Sequence, residues 1–404
     1  MRILTRRGRN SETTVVEQFV VQTQSLFTPL QLGKLLLSHR IVMAPLTRMR
    51  ADRPGNSPNA LNALYYTQRA SEGGLIIAEA SQIMPQGQGM PATPGIHSDA
   101  QAAGWKLVCD GVHAKGGRIF LQLWHVGRIS HHSHQPDGGP PWAPSAIAAQ
   151  GTAMTAHFDR EAFAVPRALG LSDIDALKLA YVQAGKRAIA AGFDGVEIHS
   201  ANGYLLEQFM HERSNQRDDH YGGTLANRIR LPLEVAEALA QALSPAKVGI
   251  RLSPFGIAND SGDPNPEPLY RSIIRELNQL GLAYLHLIEP RASGAGQREV
   301  DHQDVPSACA MFRKDWDRVL ITAGNFTAQS ASETVEAGLA DAIAFGRYFI
   351  ANPDLPERIR RGQAFTPYHR PTFYGGGSQG YTDYLAYGFA GNEEANGVIS
   401  TECS

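Results

Sequence analysis

A chain of 404 residues with 39 acidic and 37 basic side chains carries a formal net charge of -2 at pH 7, and with a pI near 6.7 it gives no electrostatic reason to expect nucleic acid or an anionic membrane as partner. No apolar run approaches the ~18 residues of a membrane-spanning helix, and three scattered cysteines, Cys109, Cys309 and Cys403, odd in number and in no CxxC pair, support neither a disulfide framework nor a thiolate metal site. The expected setting is a reducing cytoplasm, and the expected ligand is small and neutral or mildly anionic.

Residues 1–24 lack the apolar core of a secretory signal. The arginines Arg2, Arg6, Arg7 and Arg9 suggest a transit peptide, but Glu12 and Glu17 weaken that reading, so the segment is expected to be a mobile extension or an artefact of start-site choice. From there β-type apolar runs alternate with helical or loop segments. The first run is Arg40 to Pro45, followed by a helical stretch Ala60 to Ser71. The second is Gly74 to Ser81, then a Gly/Pro/Met-rich loop and a helix ending near Lys115. The third is Arg118 to His125, the fourth Gly195 to His199, the fifth Lys247 to Ser253, the sixth Ala283 to Glu289, the seventh Arg318 to Ala323 and the eighth Asp341 to Gly346. Eight strands alternating with helices predict an α/β fold, a single (β/α)₈ TIM barrel over residues 25–385 with a C-terminal tail 386–404. A doubly wound sheet would open on a Gly-rich turn, which is missing here. Ile129 to Arg167 is too long and too rich in Pro and Gly for a simple crossover, so it is expected to form a lid or hairpin after the third strand. Ahead of the fourth strand, Ser172 is the expected N-cap of a helix with Asp173 and Asp175 in its first turn. Leu177, Tyr181, Ala184 and Ala188 recur at helical spacing, and Gly192 is the expected left-handed C-cap.

The fourth strand is the most informative. Asp194 to Tyr204 delivers His199, Asn202 and Tyr204 within six residues of an apolar run, so chemistry is expected at the carboxyl end of that strand. By the period of two, Val196 and Ile198 face one way while Glu197 and His199 face the other; Gln122 with Trp124, and Arg251 with Ser253, fall on the corresponding faces of their own strands. Gln122, His199 and Arg251 buried inside a barrel would each be destabilising unless paired. A large, flat, polar ligand would pair them. At the seventh and eighth strands, Gly324-Asn325 and Gly346-Arg347 place glycines and one guanidinium in the loops where this fold usually holds a phosphate, which favours a phosphorylated cofactor.

These residues carry a resemblance to the Old Yellow Enzyme family of FMN-dependent ene-reductases, running from Leu26 to about Tyr384. Its motifs are Leu26-Phe27-Thr28-Pro29-Leu30, Ala44-Pro45-Leu46-Thr47-Arg48-Met49-Arg50, Gln122-Leu123-Trp124-His125-Val126-Gly127-Arg128, His199-Ser200-Ala201-Asn202-Gly203-Tyr204, Tyr221-Gly222-Gly223 with Asn227-Arg228, and Phe373-Tyr374-Gly375-Gly376-Gly377. The resemblance implies noncovalent FMN at the barrel mouth, contacted by Pro45 and Thr47, with Ala80 at its edge and Gln122 on its pyrimidine part. It implies Arg251 beside N1 and O2, and Gly324, Asn325, Gly346 and Arg347 around the phosphate. His199 and Asn202 would then hydrogen-bond the substrate's carbonyl or nitro oxygen, Tyr204 would donate a proton, and Trp124 and Tyr374 would shape the substrate pocket. The implied reaction is ping-pong: NADPH or NADH reduces the flavin, and an α,β-unsaturated carbonyl compound, maleimide or nitroalkene reoxidises it, nitrate esters or nitroaromatics being further acceptors. Partners would be such small electrophilic alkenes, and the protein a monomer or homodimer.

Thr47 stands where one branch of the family has cysteine, so the chain resembles the branch that includes N-ethylmaleimide and pentaerythritol tetranitrate reductases. Three cysteines are too few for the iron-sulfur cluster of the larger dienoyl-CoA reductase relatives. The His/Asn pair replaces the His/His of other members, and Leu385 follows Tyr384 where relatives often have proline. Other readings are weaker. His125, His131, His132 and His134 lie in a Gly/Pro-rich loop without supporting ligands, so no metal is expected. A Schiff-base aldolase needs a desolvated lysine at a strand's carboxyl end, and Lys247 begins its strand. A non-catalytic barrel binding a phosphorylated ligand would not need an acid such as Tyr204.

Overall fold

The computed structural model describes residues 23–290 and 306–388. The expected extension before Thr23, most of the expected tail, and Cys403 lie outside the described residues. All eight expected strands form, each within two residues of its expected ends. They are β3 (Ile41–Met43), β4 (Leu75–Gln82), β5 (Arg118–Trp124), β10 (Gly195–Ser200), β11 (Val248–Leu252), β12 (Tyr284–Ile288), β13 (Val319–Ala323) and β14 (Ala342–Phe345), and they close in chain order into a parallel barrel, β14 pairing with β3.

The period of two sorts the strand side chains as expected. Leu121, Leu123, Val196, Ile198, Val248, Ile250 and Leu252 turn outward into one apolar cluster with Trp105, Leu177, Tyr181, Val235 and Tyr270 of the surrounding helices. The inward face is layered. Glu197 pairs in register with Gln122 on one side and Gly249 on the other, and Gly249 with Tyr284; one layer nearer the strand ends, Arg251 pairs with His199 and His286. Gly249 is there because a Cβ would lie 2.2 Å from the Tyr284 ring, so the missing side chain is what lets that phenol plug the barrel.

The sequence marks no strand before Arg40, yet a short hairpin, β1 (Leu30–Leu32) with β2 (Leu35–Leu37), precedes the barrel. Leu30, Leu32 and Leu37 join Ile77, Phe120, Tyr284 and Ile321 in the interior cluster. At the hairpin turn, a Cβ on Gly33 would sit 2.5 Å from the Ala246 carbonyl oxygen just ahead of β11, which places the hairpin across the end where the strands begin. That end is closed by leucines and the opposite end is left for a ligand.

The insertion between β5 and β10 contains β6 (Trp142–Ala143) paired with β9 (Arg167–Ala168), and an antiparallel hairpin of β7 (Thr152–Met154) with β8 (Arg160–Ala162). The helix that follows runs Leu171–Ala191 and corrects one expectation. Its N-cap is Gly170, not Ser172: the Asp173 carboxylate, held by Arg167 at 2.7 Å, accepts the Gly170 N–H at 2.8 Å and starts the helix earlier. Asp175 therefore falls beyond the first turn, where it pairs with Lys178 at 3.0 Å. Gly192 closes the helix with φ 110°, the left-handed cap its position required.

Candidate active site

A cavity of about 520 Å³ opens at the carboxyl ends of the barrel strands, within the usual size range of cofactor and small-molecule sites. Every residue expected from the sequence to contact cofactor or substrate lines it. Pro45 and Thr47 follow β3, Ala80 lies on β4, Gln122 and Trp124 on β5, and His199 on β10 with Asn202 and Tyr204 in the turn after it. Arg251 enters from β11, Gly324 and Asn325 follow β13, Gly346 and Arg347 follow β14, and Tyr374 reaches in from the C-terminal segment.

Three aromatic groups form one wall. The Tyr204 ring stands edge-on to Trp124 (4.9 Å between centroids, 84°) and to His199 (5.0 Å, 79°). Burial, then Arg251 and His286, hold the His199 pKa well below its ordinary value, so its imidazole is neutral. Burial, then Tyr374, push the Tyr204 pKa up, while Asn259 works the other way. Asn202 and Gly203 both occupy left-handed backbone (φ 57° and 77°), which folds the strand end over and brings Tyr204 back to the cavity. Gly203 is required on space as well, since its Cβ would lie 2.6 Å from the Ala258 carbonyl oxygen.

The floor is polar and charged. Gln122 Nε2 donates to Glu197 Oε1 at 2.7 Å, and the other oxygen of Glu197 meets His286 Nδ1 at 2.8 Å, all three buried. Burial raises the Glu197 pKa, but His286, Arg251 and Gln122 outweigh it and leave the carboxylate below its usual range. Burial and Arg251 lower His286, so a neutral imidazole donates from Nδ1 to an ionised Glu197. Gln122 thus has an internal partner, where a ligand was the expected one. Arg251 differs: it is 9% exposed and its Nε has no hydrogen-bond partner among the described residues. The same holds for His199 Nδ1 and Trp124 Nε1. Buried polar atoms are rarely left unpaired, and these three belong to residues that line one cavity.

The near wall is fastened from far along the chain. Arg48 donates to the carbonyls of Phe373 (2.9 Å) and Gly380 (2.8 Å), Arg50 donates to Gly377 (3.0 Å), and Gly375 N–H returns to Arg48 O at 3.0 Å. Both guanidiniums lie over the Tyr381 ring, which stacks on Tyr65 at 4.1 Å. Two motifs some 325 residues apart, Ala44 to Arg50 and Phe373 to Gly377, therefore form one unit that carries Thr47 and Tyr374.

Sequence reasoning missed several participants. Glu79 accepts the Arg48 N–H at 3.0 Å beneath the Thr47 loop. Glu207 accepts the Gly203 N–H at 2.5 Å behind the Asn202 turn. Asn259 holds the Asn202 carbonyl at 2.9 Å, and Arg160 and Phe163 of the insertion line the cavity. A lone carboxylate inside the apolar run of β4 was a usable signal for Glu79; nothing in the sequence distinguished the others. The histidine run is spread out: His125 is buried, His131 pairs with Glu161 at 3.2 Å, and His134 meets the Met154 carbonyl at 2.7 Å. Among the described residues no three His, Cys, Asp or Glu side chains converge as a metal site would require, and no helix is long and apolar enough to cross a membrane. Lys247 lies just before β11, at the other end of that strand from the cavity.

Comparison with known proteins matches residues 25–365 to the NADH:flavin oxidoreductase / NADH oxidase family. The chain is 42% identical over 365 residues to 12-oxophytodienoate reductase 2 of Arabidopsis thaliana, covering 90% of this chain and 96% of that one. Among solved structures it is similar to morphinone reductase in complex with tetrahydroNAD (46% identity, TM-score 0.83, 91% of this chain and 99% of the other). It is similar also to the Old Yellow Enzyme homologue from Zymomonas mobilis (40% identity, TM-score 0.84, 89% and 99%).

Proposed function

The chain belongs to the NADH:flavin oxidoreductase / NADH oxidase family, that of Old Yellow Enzyme, and from that premise we propose that it binds FMN in the barrel mouth and uses a nicotinamide nucleotide to reduce electrophilic alkenes. The observation that carries this reading is the set of unpaired buried polar atoms on Arg251, His199 and Trp124 around one cavity. They are what a flat, hydrogen-bonding cofactor with a substrate above it would satisfy. Arg251 supplies a fixed cation to the ring face, Thr47 and Gln122 supply polar edges, and Pro45 and Ala80 supply apolar contact. Gly324 and Asn325, on positive-φ backbone, and Gly346 let backbone approach a phosphate closely, with Arg347 as its counter-charge. FMN held there would supply hydride transfer between the nicotinamide and the alkene.

The remaining chemistry belongs to the protein. The neutral His199 imidazole and the Asn202 amide present donors to the carbonyl or nitro oxygen of the acceptor and stabilise the negative charge that develops there. Tyr204 Oη keeps its proton in a buried site until a basic carbon is formed next to it, then delivers it. Trp124, Tyr374 and Phe163 wall the space and exclude water. Donor and acceptor share this one space, which fits a ping-pong order, with the β7–β8 hairpin as the flap over it. Favoured acceptors are α,β-unsaturated ketones, aldehydes, imides and nitroalkenes. The test is the visible spectrum of the purified protein, where flavin absorption bands released as FMN on denaturation are expected. A protein that is colourless, and stays so after FMN is added, sinks the proposal.

A further inference from the structure

Behind the Asn202 turn lies a buried carboxylate for which the reaction outlined above has no use. Glu207, on the short helix Leu205–Met210, accepts the Gly203 N–H at 2.5 Å through Oε2, and the hydroxyls of Ser253 (2.5 Å) and Tyr270 (2.6 Å) through Oε1. The polarity of these bonds is set from outside. Asn202 N–H donates to Ser253 Oγ at 2.7 Å, which leaves the serine proton for Glu207. Gly262 N–H donates to His211 Nδ1 at 3.3 Å, so the neutral imidazole carries its proton on Nε2, faces Tyr270 Oη at 3.1 Å as a donor, and turns the phenol proton toward Glu207. Three donors converge on one carboxyl group, and a carboxylic acid would find no acceptor among them for its own proton. Two of the three lines lead straight back to the turn, one through Gly203 itself and one through Ser253 to Asn202. Both turn residues are in left-handed backbone, which Gly203 adopts freely and Asn202 at a cost that surrounding structure has to offset.

We propose that Glu207 is a positioning residue: its ionised carboxylate holds the Asn202–Gly203 turn in the conformation that aims Asn202 and Tyr204 into the cavity, and its protonation loosens the grip on the acceptor. This rests on the reading of His199 and Asn202 as the acceptor's anchor. Burial pushes Glu207 up to about 7, against the hydrogen bonds from Ser253, Tyr270 and Gly203. Among the groups packed around it, burial sends His211 down to about 4 and Tyr270 well up; Asp263, Arg228, Arg128 and Arg213 lie beyond His211. Of the groups it would aim or neighbour in the cavity, His199 is held low and Tyr204 high, so neither titrates near neutrality. Glu79, pushed by burial to about 7 beneath the Thr47 loop, is the group that could be mistaken for Glu207.

The apparent dissociation constant scales inversely with the competent fraction, so one pH unit below the midpoint it should be about tenfold weaker. The experiment uses the FMN-loaded protein and 2-cyclohexenone, which does not ionise in this range. Its equilibrium dissociation constant is read from perturbation of the flavin bands between pH 6 and 8.5. Wild type should bind about tenfold more weakly at pH 6 than at pH 8.5. Glu207→Gln should bind weakly throughout, with no inflection. Tyr270→Phe removes one donor to the carboxylate, makes ionisation harder and should move the inflection to higher pH, a shift that loss of packing alone does not produce. An inflection that persists in Glu207→Gln assigns the titration to another group, Glu79 being the first to examine, and overturns the proposal, as does wild-type binding by Glu207→Gln at pH 8.5 or an unmoved inflection in Tyr270→Phe. The double variant His199→Ala, Asn202→Ala separates the two readings. If it loses cyclohexenone binding while Glu207→Gln keeps it, this inference alone fails; if it binds normally, the anchor itself is misassigned.

Discussion

Tyr204 keeps its proton through conditions in which an exposed phenol would begin to ionise, since burial and then Tyr374 raise its pKa. Such a group serves only a strongly basic site, such as the carbon left when hydride adds to one end of a polarised alkene. General-acid assistance is typically worth about 10² to 10⁴ in rate, and reduction of the flavin by a nicotinamide does not call on this proton. Tyr204→Phe should therefore slow reoxidation by 2-cyclohexenone toward that range while stopped-flow flavin reduction stays nearly unchanged. Acceptors that leave a stable nitronate should be affected less. Equal loss in both half-reactions, or none in either, would reject the proton-donor role. His199, Asn202 and Tyr204 could be read from the sequence because they follow one apolar run within six residues. Glu207 could not. Between Leu206 and Gln208 it looks like an ordinary solvated helix position, and Ser253, Tyr270 and His211, which give it meaning, arrive from other elements.

The barrel strands were legible because their apolar residues alternate and each run ends in polar or glycine residues. The N-terminal hairpin was not, because β1 and β2 are three residues each and rich in leucine, with no β-branched residue to mark a strand. Their conformation is imposed by the interior cluster they complete. The start of the Leu171–Ala191 helix is hidden in the sequence for a related reason, since the Arg167–Asp173 pair that fixes Gly170 reaches back across the helix boundary. Within the strands, two glycines are occupied by their neighbours' rings: a Cβ on Gly195 would lie 2.4 Å from Phe120, and one on Gly249 2.2 Å from Tyr284. Gly249→Ala should overpack this layer and destabilise by about 1–3 kcal/mol, seen as a lower thermal midpoint. Gly139→Ala, at φ -67° with its nearest contact at 3.5 Å, is the matched control and should change little. A Gly249→Ala protein that melts like wild type would mean the Tyr284 layer is loosely packed.

Across the whole molecule, several histidines are buried neutral, and their response to acid can be signed. Burial pushes His39, His125 and His211 to about 4, 3 and 4, against an unfolded value near 6.5. Each takes up a proton more readily once unfolded, so each contributes stability that is present above pH 6.5 and lost as pH falls toward 4. Glu79 and Glu207, raised to about 7, act in the opposite sense, their contribution being complete below about 4.5 and lost as pH rises through 7. Burial lowers His199 as well, so the histidines outnumber the two carboxyls. The thermal midpoint, measured with FMN in fixed excess, should climb from pH 4.5 to 6.5 and then level off; a steady fall over that interval would contradict the assignment of these histidines as buried and neutral. The docking of Phe373 to Gly377 on Arg48 and Arg50 bears on the order in which the molecule is made. Arg48 leaves the ribosome 325 residues ahead of the Phe373 carbonyl it must bind, an interval of roughly 15 to 65 s at ordinary rates of chain elongation. Thr47, His199 and Arg251 have all been translated long before Tyr374, yet the barrel that gathers them closes only when β14 meets β3, so the cavity and its last wall are completed late and close together.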